Sequence, residues 1–212
     1  MTMHIYGGAV SPFVMRPVLA ARAKGHDLSP EDFPGGLKCD AYRAMTPMAK
    51  MPLLVDGDFA LPESQAITDY LDAVLSGPSL CPADPKEAAR TRLIVRLADI
   101  NLVPNLGGVF RGRDNPDGIA PAKVGLGEAL GYIEHFRKDS DVFVVGDSFT
   151  IADATLIPLF FFFDVFDKAM QTGALVAARP GLAAWWARAK ASEIGSRCIA
   201  EQSASLKSMQ NR

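Results

Sequence analysis

The sequence predicts a mixed α/β module over residues 1–75, followed by an all-helical module over 86–212. Three observations carry that division. Short apolar runs of strand length alternate with helix-period stretches only in the first 75 residues. Asp56-Gly57-Asp58 joins two of those runs, and Asp-Gly in that setting is a strong hairpin signal. A Pro/Gly/Ser-rich linker, 76–85, then interrupts the chain, and beyond it strand signals nearly vanish while helical spacing persists.

Each element of the first module has a local cause. Residues 3–6 read as a strand. Residues 12–24 read as a helix with Val14, Val18, Leu19 and Ala21 on its apolar face and Gly25 just past its end. Pro12 suits the first helical position, where its missing N–H would be unpaired anyway. Residues 26–33 read as a second strand, stopped by Pro34-Gly35-Gly36, and 40–45 as a short, weak helix. Residues 53–55 and 59–61 are the hairpin arms. Ser64 is placed to cap a helix running through Ile67, Tyr70, Leu71 and Val74. The order is β-α-β-α-β-β-α. Its crossovers imply parallel pairing of the first strands, and its tight turn an antiparallel pair at the end.

In the second module, residues 86–106 form a helix through Leu93, Leu97, Ile100 and Val103, and 111–121 a Gly/Asp/Asn/Pro loop. Residues 122–138, 151–170 and 182–194 form further helices, with Pro158 expected to kink the third. Thr150-Ile151-Ala152-Asp153 reads as a capping box, with Asp153 in the place usually given to Glu or Gln and Phe149 where a hydrophobic staple starts. Its role is structural. The run Leu156 to Phe163 is far short of the roughly 20 residues that cross a bilayer, so it reads as the centre of a buried helix. Phe160 to Phe163 point in different directions at helical spacing, which makes them core rather than the lining of one cavity.

Composition narrows the function. The chain has 212 residues, 49% hydrophobic and 22% charged, an ordinary globular balance with room for a sizeable core. Its net charge of −2 carries no basic excess, so nucleic acid is not an expected partner. No secretory leader pattern opens the chain and no apolar run is long enough to be a span, so the expectation is a cytoplasmic protein without a membrane partner. Three scattered cysteines, Cys39, Cys81 and Cys198, fit neither a disulfide framework nor a zinc site; no metal is expected.

Three segments carry chemistry. Ser11-Pro12-Phe13 places a hydroxyl where a strand gives way to a helix, whose unpaired amides and positive dipole end stabilise an anion such as a thiolate. Ser11 is otherwise a plain N-cap. Lys50-Met51-Pro52-Leu53 puts a proline directly before a strand. A cis Met51–Pro52 bond would turn the Met51 N–H and C=O toward an extended peptide, and a trans bond would simply start the strand. Pro62-Glu63-Ser64 precedes a helix. There a carboxylate would suit the helix start and an ammonium would suit Glu63, unless the pair is only a cap. Together these are what a small thiol peptide needs.

On these residues the chain resembles the cytosolic glutathione S-transferase superfamily. The resemblance also rests on Tyr6, on Gln65-Ala66-Ile67 with Tyr70-Leu71, and on Gly146 to Asp153, in the right order across nearly the whole chain. It is closest in kind to bacterial-type members with a serine at the helix start, in the manner of the omega, zeta and theta classes. The resemblance implies a thioredoxin-like N-terminal domain that binds glutathione as co-substrate. It also implies a helical-bundle C-terminal domain contributing a pocket for a small hydrophobic electrophile, and a homodimer. Pro52 takes the cis-proline place, Met51 pairs with the cysteinyl residue through its backbone, and Glu63 and Ser64 take the γ-glutamyl contacts. Lys38 and Lys50 are candidates for the glycine carboxylate. Phe13 is a candidate glutathione contact and, with the 109–113 segment, a candidate for the electrophile pocket, where Arg111 and Arg113 are able to attract an anion.

Ser11 is the expected thiol-activating residue and Tyr6 its competitor. Lowering a thiol from about 8.5 toward about 6.5 takes about 2.7 kcal/mol. One hydroxyl hydrogen bond to a charged acceptor supplies about 1.5–3 kcal/mol, and a helix dipole up to about 1–2 kcal/mol. Serine in place of cysteine disfavours disulfide exchange. The expected activity is attack of a glutathione thiolate on the electrophile. Glutathione-dependent isomerisation or dehalogenation, and a non-catalytic binding module, are the alternatives.

Overall fold

The computed structural model describes residues 3–111, 116–138 and 141–211. It forms two compact units, Met1–Leu80 together with Glu193–Arg212, and Cys81–Ser192. The C-terminal end of the expected 86–212 helical module therefore groups with the first unit.

The first unit is built on strands β1 (Met3–Tyr6), β2 (Pro30–Glu31), β3 (Leu53–Asp56) and β4 (Phe59–Pro62), in the order β2-β1-β3-β4. β1 and β2 are parallel; β3 lies antiparallel to β1 and to β4. Register puts Ile5, Leu54 and Leu61 on one face and Tyr6, Leu53 and Pro62 on the other. Helices α1 (Pro12–Ala23), α2 (Asp40–Met45) and α3 (Ser64–Val74) follow in chain order. α3 covers the Ile5 face, since Tyr70 donates to Asp56 at 2.8 Å and stacks obliquely on Phe59. α1 packs on α3 and buries Val14, Met15, Val18 and Leu19 completely.

β2 is far shorter than the expected 26–33 strand. Pro30 has no N–H for a ladder, and the residues before it are already committed. His26 N–H and Gly25 N–H return to Ala21 and Arg22 carbonyls at 3.0 and 2.9 Å, closing α1 in a Schellman pattern at Gly25 (φ +88°). The linker is tied down as well. Lys24, buried, bridges Asp72 and the Pro78 carbonyl at 2.9 and 3.0 Å, and Asp72 also accepts from Leu80 N–H.

In the second unit, α4 (Pro85–Leu97) continues through a π-turn, Ala98–Leu102, into α5 (Val103–Arg111). This run, Pro85–Arg111, is long and apolar enough to cross a bilayer by length and composition; in the fold it packs against α6 (Ile119–Phe136) and α7 (Ile151–Met170). Helices α8 (Thr172–Ala177) and α9 (Pro180–Ala191) follow α7, and α10 (Glu193–Gln210) returns to the first unit. α8 and α10 were not anticipated. The expected 111–121 loop is partly helix at both ends, and 112–115, with Arg113, lies outside the described residues. α7 runs unbroken through Pro158, and Phe160 to Phe163 are all core, at most 4% exposed.

The capping box forms as expected. Asp153, fully buried, accepts from Thr150 N–H (2.9 Å), the Thr150 hydroxyl (3.0 Å), Val144 N–H (2.9 Å) and the Trp185 indole (2.8 Å). Burial pushes its carboxyl above the ordinary value, and these four donors oppose that. α10 is fastened to α1 by a bidentate pair, Arg22 to Glu201 at 2.8 and 2.9 Å, with the Arg22 side chain 5% exposed.

Two outcomes follow. Asp153→Ala strands four buried donors and lowers stability by about 3–5 kcal/mol in denaturant titration, with turnover per folded molecule retained. Glu201→Gln keeps one acceptor oxygen but removes the countercharge, leaving Asp27 at 3.7 Å as the carboxylate beside Arg22, and costs about 2 kcal/mol, read as a lower urea midpoint.

Candidate functional site

Three segments far apart in sequence meet at one cavity of about 180 Å³ in the first unit. Phe13 enters from the first turn of α1, Lys50, Met51 and Pro52 from the approach to β3, and Glu63 and Ser64 from the start of α3. Six of the residues singled out from sequence thus line a common wall. Met48 and Pro62 complete it. Pro62 had a signal, as the first residue of the Pro62-Glu63-Ser64 segment, and the hairpin pairs it with Leu53 across the strands; Met48 had none.

The Met51–Pro52 bond is cis. Its approach is held from below by Tyr42 of α2, whose hydroxyl donates to the Lys50 carbonyl at 2.7 Å. Burial raises the Tyr42 phenol above its ordinary value, so it remains a donor. Met51 is 36% exposed and Lys50 is exposed, whereas Pro52 is buried.

The start of α3 differs from the sequence reading. Ser64 is not the N-cap; it is the first helical residue, and Glu63 occupies the cap position with φ +72° and ψ +114°. Positive φ is costly for a residue with a Cβ, about 1–3 kcal/mol, and such strain gathers at binding sites. The turn exposes the Glu63 side chain, buries Ser64 to 6%, and leaves the first amides of α3 with no side-chain acceptor at the cap.

α1 is arranged in the same way. Ser11 is its N-cap, half-buried, and its carbonyl accepts from both Val14 and Met15 N–H at 3.1 Å. Its hydroxyl makes no capping bond. A hydroxyl next to a positive helix end, uncommitted to that helix, is free to donate to an anion. The loop before it is fixed from two sides. Gly7 (φ +146°) lies so close to α1 that a Cβ there would meet the Val14 side chain at 2.5 Å, and Gln202 of α10, fully buried, donates to the Val10 carbonyl at 3.4 Å. Sequence reasoning missed Gln202, since nothing local links positions 192 residues apart.

Other expected residues lie outside the cavity wall. Ser11 is beside it, at the helix start. Tyr6 points to the sheet face opposite Ile5, where its ring meets Phe33 edge-on at 4.9 Å; Phe33 in turn meets Tyr42 at 5.1 Å. Lys38 is exposed in the turn before α2. Val109 is 6% exposed and Arg111 is exposed, both in the second unit. No group of three or more His, Cys, Asp or Glu among the described residues could hold a metal ion. Burial pushes the Cys198 thiol up to about 12, so it is no nucleophile.

A second, larger groove of about 710 Å³ adjoins the first through Met51, which lines both. It runs along Gly7 to Val10, past Phe33, to Ser205 and Met209 of α10.

Residues 5–79 match the family model "Glutathione S-transferase, N-terminal domain" and residues 116–188 "Glutathione S-transferase, C-terminal domain". The chain is 30% identical to glutathione S-transferase F13 of Arabidopsis thaliana over 88% of its own length and 90% of that protein. It is 29% identical to a glutathione S-transferase of Hyoscyamus muticus, over 88% and 92%. It is also 30% identical to a probable maleylacetoacetate isomerase 1 of Drosophila melanogaster, over 68% and 61%. Glutathione transferase F7 of Populus trichocarpa has the same fold, with a TM-score of 0.80 at 22% identity over 95% of this chain and 99% of that one. So does maize glutathione S-transferase I, solved with an atrazine glutathione conjugate, with a TM-score of 0.81 at 19% identity over 96% and 99%. The chain belongs to the glutathione S-transferase family.

Proposed function

From that membership we propose that the chain, acting as a glutathione transferase, holds glutathione in the Phe13–Met51–Ser64 cavity, with its thiolate at Ser11 and aimed at a small apolar electrophile. The observation that carries the reading is the convergence of two uncapped helix starts and the Lys50-Met51-Pro52 strand approach on one wall. The γ-glutamyl carboxylate takes the first amides of α3 and the Ser64 hydroxyl, and its ammonium takes Glu63. Met51 pairs by its backbone with the cysteinyl residue, as an added strand would. Lys50 takes the glycine carboxylate; Lys38, which lines neither cavity, has the lesser part. Ser11 donates to the sulfur, and the end of the α1 dipole adds to the stabilisation. The thiolate then forms a C–S bond to the electrophilic carbon, and the electron pair leaves with the displaced group. Tyr6, turned toward Phe33, packs the sheet rather than activating the thiol.

The bacterial-type, serine-using subclass is proposed on Ser11; the curated relatives named above come from plants and an insect. Similarity to the insect isomerase favours a second reading in which the same thiolate adds to and leaves a double bond, isomerising it. A cytoplasmic homodimer is part of this proposal, and half-exposed Met48 and Phe59 are apolar surface that a second copy would cover. The 1–75 and 86–212 division is kept as a functional one, with glutathione held by the first part.

Calorimetry with glutathione, followed by conjugation of an aryl halide, tests the reading; uptake without turnover of aryl halides or cis-alkenes would leave only a binding module. Ser11→Ala keeps glutathione affinity within a few-fold and raises the bound thiol pKa by about 1–2 units, the equivalent of one charged hydrogen bond. A shift seen only in Tyr6→Phe would reverse the assignment. Glu63→Gly relieves the positive φ, so stability stays the same or rises by about 1 kcal/mol, while glutathione affinity falls about ten-fold.

A further inference from the structure

We propose that the groove beside the glutathione cavity favours neutral or cationic electrophiles over anionic ones, and that Asp32 sets this preference. The inference rests on the transferase reading for the identity of the groove's occupant. The groove opens from Met51 and from the backbone leading to Ser11, so a molecule seated in it faces the proposed thiolate. Its bed is apolar and adaptable: Phe33, Leu37, Met51 and Met209, with two methionines able to follow the shape of different rings. Among the described residues, the charged side chains lining it are Glu31 and Asp32, and its lining includes no Lys, Arg or His.

The two carboxylates are not equivalent. Glu31 already holds His4 Nδ1 at 2.6 Å, which offsets its charge when the imidazole is protonated. Asp32 is exposed, and among the described residues it forms no ion pair or side-chain hydrogen bond. Lys38 follows Leu37 in sequence but is outside the lining. An anionic substrate would therefore meet Asp32 and the thiolate together. A cationic one would meet complementary charge at the rim while its apolar body covers Phe33. Because Asp32 is in contact with water, the discrimination is modest and falls with salt.

Three activated aryl chlorides test this, bearing a neutral, a carboxylate or a quaternary ammonium group on a saturated tether so that ring reactivity is the same. Rates are taken as kcat/KM relative to the uncatalysed reaction with glutathione. The cationic compound is expected to exceed the anionic one about five-fold at low salt, with the ratio narrowing at 0.5 M salt. In Asp32→Asn the ratio falls toward one, and in Glu31→Gln it changes less. Equal rates for the two charged compounds, or a ratio that Asp32→Asn leaves intact, overturn the proposal. Should glutathione bind but none of the chlorides turn over, the transferase reading fails by itself. The dechlorinated analogues then read the same preference by equilibrium binding, and equal affinities for the two charged analogues overturn the inference separately.

Discussion

A helix cannot pair its own first amides, and the way α1 and α3 leave theirs beside one cavity is the constraint on which the proposed site depends. α2 begins at Cys39, whose sulfur accepts from Tyr42 N–H; α4 begins at Asp84, which takes two amides; α7 has its capping box. α8 receives the Asp167 carboxylate on Gly173 N–H, and α9 receives Glu134 on Gly181 and Leu182 N–H. α1 and α3 have no such side-chain cap. Both border the small cavity, through Phe13 on one side and Glu63 and Ser64 on the other. α2, α4, α7, α8 and α9 spend their first amides on side chains within the fold; α6, in the second unit, also has no side-chain cap, but of the uncapped starts only those of α1 and α3 border this cavity, where the proposed ligand would take them.

That arrangement has to be held in place from outside, since neither helix start holds itself. For α1 the support comes from the far end of the chain. Arg22 and Glu201 clamp α10 to α1, Arg197 extends the pair to Asp27 at 2.8 Å, and Gln202 reaches the Val10 carbonyl, one residue before Ser11. For α3 the support is the hairpin, which delivers Pro62 opposite Leu53 and fixes where Glu63 must turn. At Lys50, the buried Tyr42 hydroxyl does the same for the strand approach. The helix that anchors the loop before Ser11 also supplies Ser205 and Met209 to the adjoining groove, so one packing arrangement shapes both.

Features set within a few residues were readable in advance. Gly57-Asp58 closes the hairpin and pairs Asp56 with Phe59; Thr150 and Asp153 form their box; Pro12 opens α1 and Gly25 closes it. Each depends on backbone geometry that its own side chains impose. Where a local preference met a competing contact, it gave way. The 26–33 strand shrank to Pro30–Glu31 because Gly25 and His26 amides were taken by the end of α1. Ser64 yielded the cap position because the chain leaves β4 at positive φ.

By itself, then, the sequence determined the α/β-then-helical order, the hairpin, the start of α1 and the capping box of α7, because periodicity, turn chemistry and capping act over short distances along the chain; together with the family resemblance it also pointed to six residues of the cavity wall. Only the tertiary structure decided that α10 joins the first unit, that Gln202 holds the loop before Ser11, that Trp185 completes the Asp153 cluster, and that Asp32 stands at the edge of a groove. Those contacts join positions tens to nearly two hundred residues apart. The first three are fixed by which buried charge or donor finds a partner once the elements pack, and the place of exposed Asp32 by which segments border the groove; no local pattern carries that information.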